Sequence, residues 1–273
     1  MTPPPPRHRN FAPLIVAAVL LALTAWSALA LEIRPGRLGG IGNLFQILGE
    51  AIPPDTTLVG VAVEAIVETL QIAFLGTAMG TVLALPLGLL GARNIFGRGV
   101  TVPARVVLAG IRTLPALLWA VLFVVAVGLG PLAGVLAAGV YTVGYLGKLQ
   151  YESIEGMDPA AIHAVGSAGA SRVQLIRYVV LPESANHILS QILFMFEHNV
   201  RASSIFGFVG AGGIGFYIAN YLTVFRYQSV LTLLLAVFVT ILVIDYLSVL
   251  VRDRFLVPSR SSAARPRRRR PAS

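Results

Sequence analysis

Residues 151–182, with the sequence YESIEGMDPAAIHAVGSAGASRVQLIRYVVLP, form a polar stretch in a chain that is otherwise strongly apolar. Asp158 and Pro159 predict the start of a first helix, because an aspartate accepts hydrogen bonds from the free N–H groups of a helix N-terminus and proline at the first position loses none. We expect this helix to end near Ser167. Its small side chains predict a surface that another protein's backbone could approach closely, formed by Ala160, Ala161, Ala164, Val165 and Ala168.

A second short helix is predicted in the other half of the stretch. Gly169 indicates a bend, because glycine adopts backbone conformations that other residues avoid. Ser171 and Gln174 have the spacing of a capping box, in which each side chain bonds the backbone N–H of the other residue. We expect this helix to end at Leu181-Pro182. The stretch therefore predicts two short helices on the water side of a membrane.

The composition of the whole chain indicates a membrane protein. Of the 273 residues, 56% are hydrophobic and 12% are charged, and the mean hydropathy is +0.80. Such a chain is too apolar for an ordinary soluble domain. The net charge of +9 comes from arginines that lie mainly at the two ends and in short loops, and they do not alternate with aromatic residues on a shared face, so nucleic-acid binding is not expected. There is no cysteine, which excludes disulfides and thiolate metal sites.

The apolar runs predict an all-α, polytopic transmembrane helical bundle with about six spans, since one span needs ~20 apolar residues. A break at GLGP divides the uncharged run between residues 113 and 147 into two antiparallel spans. The predicted spans are residues 14–31, residues 69–92 with a kink at Pro86, two spans on either side of residues 128–131, one span from about residue 183, and residues 227–250.

The basic residues orient these spans, because Lys and Arg accumulate in cytoplasmic loops. Arg93, Arg98 and Arg105 predict a cytoplasmic loop after the second span. With the polar stretch also in the cytoplasm, six spans place both termini there. An external loop at residues 32–64 is predicted to contain a short amphipathic helix at 38–48. The transmembrane domain is expected over residues 11–257, between a disordered basic leader at 1–10 and a disordered basic tail at 258–273.

The first span has a rival interpretation as a cleaved signal peptide. Arg7 and Arg9 precede the apolar run, and Ala28-Leu29-Ala30 resembles a cleavage site. A retained span is favoured, because the run is long for a signal sequence and because the topology closes with this span in place.

The predicted fifth span contains charged residues at membrane depth, where charges pair with one another or face a wet cavity. Glu197 and Arg201 are four residues apart on a helix and can form a structural pair. Alternatively, Arg201 lines a pathway, where its guanidinium would suit an oxyanion by donating to two oxygens at once. The candidate pathway residues are Glu197, Asn199, Arg201, Ser203 and Ser204.

A glycine-rich segment separates this span from the last one. It has neither the Lys-Ser/Thr nor the preceding strand of a phosphate-binding loop. It is therefore either a plain turn between two membrane segments or an external gate, where a solute-binding protein could also dock. The candidate gate residues are Gly210, Gly212, Gly213 and Gly215.

The polar stretch resembles the cytoplasmic loop of the membrane subunits of binding-protein-dependent ABC importers, with the pattern Glu-Ala-Ala, three residues, Gly, nine residues, Ile-x-Leu-Pro. Gly169 and the segment VVLP at 179–182 have this spacing, whereas His163-Ala164-Val165 stands in the Glu-Ala-Ala place and lacks the acid. A wider match over about residues 68–215 is similar to the phosphonate importer permease in particular. The segments that carry it are LPALLWAVLFVVAVGLGP, GASRVQLIRYVVLP and NVRASSIFGFVGAGGIG.

This resemblance implies a permease in the bacterial inner membrane that works as a homodimer by alternating access. Two cytoplasmic ABC ATPase subunits would bind ATP and Mg²⁺, this chain would bind no cofactor, and an external phosphonate-binding protein would deliver the substrate. The polar stretch would be the ATPase-coupling loop. Its assigned residues are Asp158, His163, Ala164, Gly169, Ser171, Arg172, Leu181 and Pro182.

Other functions fit the sequence less well. A methionine-type amino-acid permease would share the loop and a glycine-rich segment. An ion-coupled secondary transporter would leave the polar stretch without a role. No catalytic residue is predicted, because no nucleophile is paired with a base, and Walker A and His-Glu-x-x-His motifs are missing. The four histidines do not form a metal-ligand set with carboxylates, so no metal site is predicted.

Overall fold

The computed structural model describes residues 11–31 and 40–255, and every regular element within these ranges is a helix. The predicted leader at 1–10 and tail at 258–273 lie outside the described residues, as do residues 32–39 of the external loop. The helices are α1 (Ala12–Ala30), α2 (Ile41–Ala51), α3 (Val59–Gly91), α4 (Arg98–Arg112), α5 (Ala116–Val127), α6 (Pro131–Glu155), α7 (Pro159–Ser167), α8 (Arg172–Leu175), α9 (Leu181–Phe206), α10 (Ile214–Thr223) and α11 (Tyr227–Phe255).

Six membrane spans can be built from these helices. Four single helices are long and apolar enough to cross a membrane, namely α1, α3, α6 and α11, where α3 includes the preceding helical turn. Two bent pairs, α4 with α5 and the α8–α9 helix with α10, bring the total for the described residues to six. The predicted all-α bundle with about six spans is therefore confirmed.

The chain divides into two compact units at residue 50. In the first unit, α1 has 19 residues and a mean hydropathy of 2.2, and a helix of that length is about 29 Å long. That α1 is retained rather than cleaved stays a prediction. The amphipathic helix expected at 38–48 is present as α2, in which Gln46 donates a hydrogen bond to Glu50 over 3.0 Å.

In the second unit, α3 and α6 run parallel and pack closely along their length. A Cβ added to Gly88 of α3 would lie 2.6 Å from Oε1 of Gln150 and 2.9 Å from the carbonyl oxygen of Gly147, both on α6. Cβ atoms on Gly76 and Gly80 would likewise overlap α6. Small residues let helices approach closely in lipid, where the hydrophobic effect does not drive them together. Gly76, Gly80 and Gly88 therefore allow the close contact between α3 and α6.

The basic loop predicted after the second span is present at residues 92–97 and contains Arg93, but Arg98 and Arg105 lie on the helix α4 and not in the loop. Arg98, Arg105 and Arg112 follow one another at seven-residue intervals, which places them on one side of a helix and leaves the other side apolar. The turn predicted at residues 128–131 is confirmed, with Gly128 and Gly130 at φ of 90° and 128°. However, α5 has only 12 residues, and the span here is the pair α4–α5, which bends by 85°.

The predicted end of the second helix at Leu181-Pro182 is wrong, because the helix continues past these residues. Residues 172–175 form α8, residues 176–180 continue as one wide π-helical turn, and α9 follows directly from Leu181. Pro182 falls in the first turn of α9, and a π turn changes the hydrogen-bond register. Pro182 therefore does not break the helix, because its missing N–H is not needed at this position. The polar stretch continues directly into the fifth span.

Asp55 joins the start of α3 to the start of α11. Its carboxylate accepts hydrogen bonds from Thr57 and Ser229 and pairs with Arg226 over 3.3 Å. The hydrogen bond from the Thr57 hydroxyl holds the pKa of Asp55 below its usual value. The carboxylate is therefore charged under neutral conditions and holds these two helix ends together.

Candidate functional site

The polar stretch folds locally as the sequence predicts. Asp158 accepts a hydrogen bond from the backbone N–H of Ala160 over 2.9 Å, and α7 follows and ends at Ser167. Gly169 has φ of 80°, a left-handed conformation that favours glycine, and its N–H donates to the carbonyl oxygen of Gly166. Ser171 and Gln174 form the complete capping box that starts α8. The first helix, the bend at Gly169 and the capped start of the second helix are therefore confirmed, whereas the predicted end of the second helix is wrong.

The surface that α7 presents consists of small side chains. Ala160, Ala164 and Ala168 are exposed, as is His163, whereas Val165 is half-buried. The side chain of Ala161 lies outside the described residues. A convex, alanine-rich helix with one imidazole lets a concave partner approach its backbone closely. This surface is what the structure offers to another protein.

An apolar cluster anchors the base of the polar stretch to the end of α3. The cluster consists of the buried residues Ala92, Ile95, Ile154, Met157 and Val180. The guanidinium of Arg172, at the start of α8, lies 5.9 Å from the centre of the Phe96 ring. A displacement of α7 and α8 would therefore be transmitted to α3, since packed interiors do not deform continuously.

Polar contacts around Glu155 strengthen this anchor, and the sequence interpretation missed them. Glu155 accepts a hydrogen bond from the backbone N–H of Arg93 over 2.7 Å and pairs with the guanidinium of Arg105. The Nε of Arg105 donates to the carbonyl oxygen of Gly91 over 2.8 Å, and its guanidinium lies 4.2 Å from the centre of the Tyr151 ring. The sequence shows charged residues near the ends of α3 and α6, but it does not show that Arg93 and Arg105 contact Glu155.

The predicted pair between Glu197 and Arg201 is wrong. Arg201 donates to Asp245, and Arg252 donates to Glu197 over 3.5 Å, so both residues of α9 pair with α11. The reason is geometric, because α11 packs against α9 and places opposite charges directly across from each side chain. The Arg201 and Asp245 side chains are 43% and 41% exposed. An ion pair so exposed within membrane spans faces either a wet cavity or another protein.

The neutral candidates of α9 lie deeper than the charged ones. Asn199 is fully buried, and its amide donates to the hydroxyls of Thr77 on α3 and Thr142 on α6, over 2.8 Å and 2.7 Å. Ser203 is also fully buried, whereas the Ser204 hydroxyl donates to its own helix at Val200. In this conformation Asn199 therefore joins three helices and does not line an open path.

Replacing Asn199 with alanine is expected to lower the free energy of unfolding by about 1–3 kcal/mol, because two buried interhelical hydrogen bonds and packing volume are lost. Thermal unfolding of the purified protein in detergent measures this. The control is Ser204→Ala, which removes only a bond within α9 and should shift the melting temperature little. Equal melting temperatures for the wild type and the Asn199 variant would show that the three-helix contact adds nothing.

The glycine-rich segment contacts two other parts of the bundle. Gly210, Gly212 and Gly213 have φ of 84°, 80° and 75°, so larger residues would be strained there. The carbonyl oxygen of Gly210 accepts a hydrogen bond from the N–H of Gly130 over 2.8 Å. Gly215 lies in α10, closely packed against Ser204.

Residues on α3 cap the first turn of α10, which the sequence interpretation did not anticipate. Glu68 accepts a hydrogen bond from Gly213 N–H over 3.2 Å, and the Thr69 hydroxyl accepts one from Ile214 N–H over 2.9 Å. A cavity of about 320 Å³ opens beside Glu68. Its lining consists of Glu68, Leu129, Gly130, Pro131, Gly210, Gly212, Gly213, Phe216 and Tyr217. No group of three metal-ligating residues occurs in residues 11–31 or 40–255.

These features define a membrane protein whose water-exposed, two-helix segment is firmly anchored to its spans. Residues 84–257 match the family model described as "binding-protein-dependent transport system inner membrane component". The chain belongs to this family, and it is a multi-pass inner-membrane permease of an ABC importer. The resemblance that the polar stretch suggested is therefore confirmed.

Similar proteins support this assignment. A phosphite transport system permease protein of Stutzerimonas stutzeri is 36% identical over 224 residues, covering 80% of each chain. Another S. stutzeri permease, assigned by name to phosphite transport, is 35% identical over 253 residues, which are 92% of this chain and 88% of the relative. The solved structure of an inward-facing methionine ABC transporter matches with a TM-score of 0.65 at 21% identity, over 73% of this chain and 98% of its own. That likeness concerns the fold alone.

Proposed function

We propose that this permease carries a phosphorus oxyanion, either phosphonate or a related ion such as phosphite. The observation behind this proposal is the identity of 35–36% to permeases named for phosphite, over 80% or more of the chain. The alternative of a methionine-type permease is less well supported, because the likeness to the methionine transporter is one of fold at 21% identity. Cationic side chains along the route would favour such anions, because guanidinium groups bind two of their oxygens at once.

We propose that two copies of this chain form the pathway and that each copy seats one cytoplasmic ABC ATPase at α7. The exposed alanine surface of α7 and its anchored base support this arrangement. The ATPases would bind ATP and Mg²⁺, and the permease itself would catalyse no reaction. An external binding protein would deliver the anion, and both termini would lie in the cytoplasm. ATP and the loaded receptor would act by favouring the outward-open state over the inward-open one.

Within this scheme, α9 would line the route, with Arg201 as the group that meets the anion. Its exposure supports this role, because Arg201 pairs with Asp245 through Nη2 and is 43% exposed. A guanidinium has five N–H donors, so it can also bind two oxygens of a phosphorus oxyanion. Ser204 would add a neutral donor. The glycine-rich segment and the cavity beside Glu68 would form the external gate.

The proposal is tested by purifying the permease with its bound partners from its native host and reconstituting the complex in liposomes. Uptake of phosphite, methylphosphonate, phosphate and methionine is then measured with and without ATP. We expect ATP-dependent uptake of one of the phosphorus anions at least about tenfold above that of methionine, which corresponds to a preference of about 1.4 kcal/mol.

Two other results would contradict the proposal. A binding protein that retains methionine would assign the permease to amino-acid transport. Uptake that persists after the ATPase subunits have been removed would indicate an ion-coupled carrier. The ligand that co-purifies with the binding protein is identified by phosphorus NMR and mass spectrometry, which gives a result independent of reconstitution.

A further inference from the structure

Arg112 lies at the bend between α4 and α5, beside α6. It is the last residue of α4, and its side chain packs against Gly144 of α6, where an added Cβ would lie 2.9 Å from Arg112 Cγ. Its guanidinium lies 5.0 Å from the centre of the Tyr145 ring. Lys148 follows Tyr145 by three residues on α6, so Arg112 lies near the charged end of the uncharged run at residues 113–147. Arg112 is therefore a cation at the edge of an apolar span.

No carboxylate neutralises this cation in the part of the chain that the structure describes. Each ion pair there involves another cation: Arg105, Lys148, Arg201, Arg226 or Arg252. The Nε of Arg112 is buried and has no hydrogen-bond partner among the described residues. The ring of Tyr145 and the C-terminal carbonyls of α4 offset part of the charge. A partly buried guanidinium without a carboxylate partner is otherwise costly, and charged groups among membrane spans mark ion pathways.

Aromatic rings connect Arg112 to the charged part of α9. The rings of Tyr145 and Tyr141 lie 4.5 Å apart, and the Tyr141 ring stacks on the imidazole of His198 at 5.2 Å and an interplanar angle of 12°. His198 is three residues before Arg201, so the two share one side of α9. A strip of donors therefore runs from His198 through Tyr141 and Tyr145 to Arg112, and Arg201 lies about one helical turn beyond His198.

We propose that Arg112, together with Tyr145, Tyr141 and His198, forms an anion-binding station on the translocation route, inward of Arg201. The inference rests on the proposed function, since a phosphorus oxyanion is the ligand that it would bind. A guanidinium binds two oxygens of such an anion at once, and the tyrosine hydroxyls and the imidazole supply further donors. The station would lower the barrier to an anion on its way between Arg201 and the cytoplasmic side.

The first part of the test measures the local potential and needs no substrate. Because the chain contains no cysteine, Tyr145→Cys in the full complex gives a single reactive thiol beside Arg112. The rate at which this thiol reacts with an anionic and with a cationic methanethiosulfonate reagent is measured. The measurement is made in Tyr145→Cys and in the double variant that also carries Arg112→Gln. The ratio of the two rates cancels any change in thiolate fraction. We expect the arginine to raise the anionic-to-cationic ratio about tenfold.

The second part measures ATP-driven phosphite uptake in proteoliposomes that contain the permease, the ATPase and the binding protein. Arg112→Gln should lower uptake at least about tenfold while receptor-stimulated ATP hydrolysis persists. Arg112→Lys should show intermediate uptake, because lysine keeps the positive charge but lacks the planar pair of donors that binds two oxygens at once. The matched control is Arg98→Gln, on the same side of α4 but exposed at its other end. This control should transport like the wild type.

The outcomes distinguish the inference from the proposed function. An equal rate ratio with and without Arg112, or no modification by either reagent, would overturn the anion station. Unchanged phosphite uptake by Arg112→Gln would also overturn it. A joint loss of assembly, ATP hydrolysis and uptake in both Arg112 variants would overturn it as well, because it would show that Arg112 serves only in helix packing. If the wild type moves no phosphorus anion but the rate ratio depends on Arg112, the station is supported and the proposed substrate is wrong.

Discussion

Replacing Gly169 with proline is expected to uncouple ATP hydrolysis from uptake, with uptake falling at least about tenfold, while the protein still inserts into the membrane. Gly169 has φ of 80°, whereas proline is held near −65°, so the bend between α7 and α8 cannot keep its conformation. Proline also removes the N–H that donates to Gly166. The surface of α7 would then be presented at a different angle to the base of the polar stretch.

The prediction is measured as phosphite uptake per ATP hydrolysed in proteoliposomes. Gly169→Asn should be mild and Gly169→Ala more severe, because asparagine tolerates the left-handed conformation better than alanine does. A Cβ at Gly169 would meet nothing within 4 Å, so this ranking isolates backbone conformation from steric overlap. Gly166→Ala is the control, since Gly166 lies within α7 and its Cβ would also meet nothing. Normal coupling in Gly169→Pro would contradict a mechanical role for the bend.

Arg201→Ala should lower uptake at least about tenfold and reduce stability as well. The substitution leaves Asp245 without its partner inside a membrane span, where an unpaired charge costs about 2.5–3.5 kcal/mol on insertion scales. A loss of uptake alone would therefore not separate transport from assembly. The charge-swapped variant Arg201→Asp with Asp245→Arg separates them, because it restores an ion pair but moves the guanidinium from α9 to α11.

If Arg201 meets the anion, the swapped variant should recover assembly, measured by size-exclusion chromatography and thermal unfolding, while uptake stays low. Recovery of uptake along with assembly would show that the pair is purely structural. Glu197→Gln is a useful comparison, because it weakens the other contact between α9 and α11 without removing Arg201. That variant should change stability more than uptake.

The limits of sequence reasoning are clearest on α9. Its charged residues were recognised as costly at membrane depth, and that cost is a property of each residue alone. Their pairing was predicted wrongly, since the four-residue spacing of Glu197 and Arg201 satisfied a helix rule that the neighbouring helix overrode. Asp245 lies 44 residues beyond Arg201, and no local pattern connects them. Arg112 was missed because its isolation from acids is visible only once the helices are packed.

By itself, the sequence determined the features that depend on near neighbours. The cap at Asp158, the capping box at Ser171 and the bend at Gly169 involve contacts within four residues, and the apolar runs that become spans depend only on transfer from water to lipid. Only the tertiary structure decided which side chains meet across helices, such as Glu155 with Arg105 or Asn199 with Thr77. Those contacts join residues far apart in the chain, and they exist only after close packing has brought the helices together.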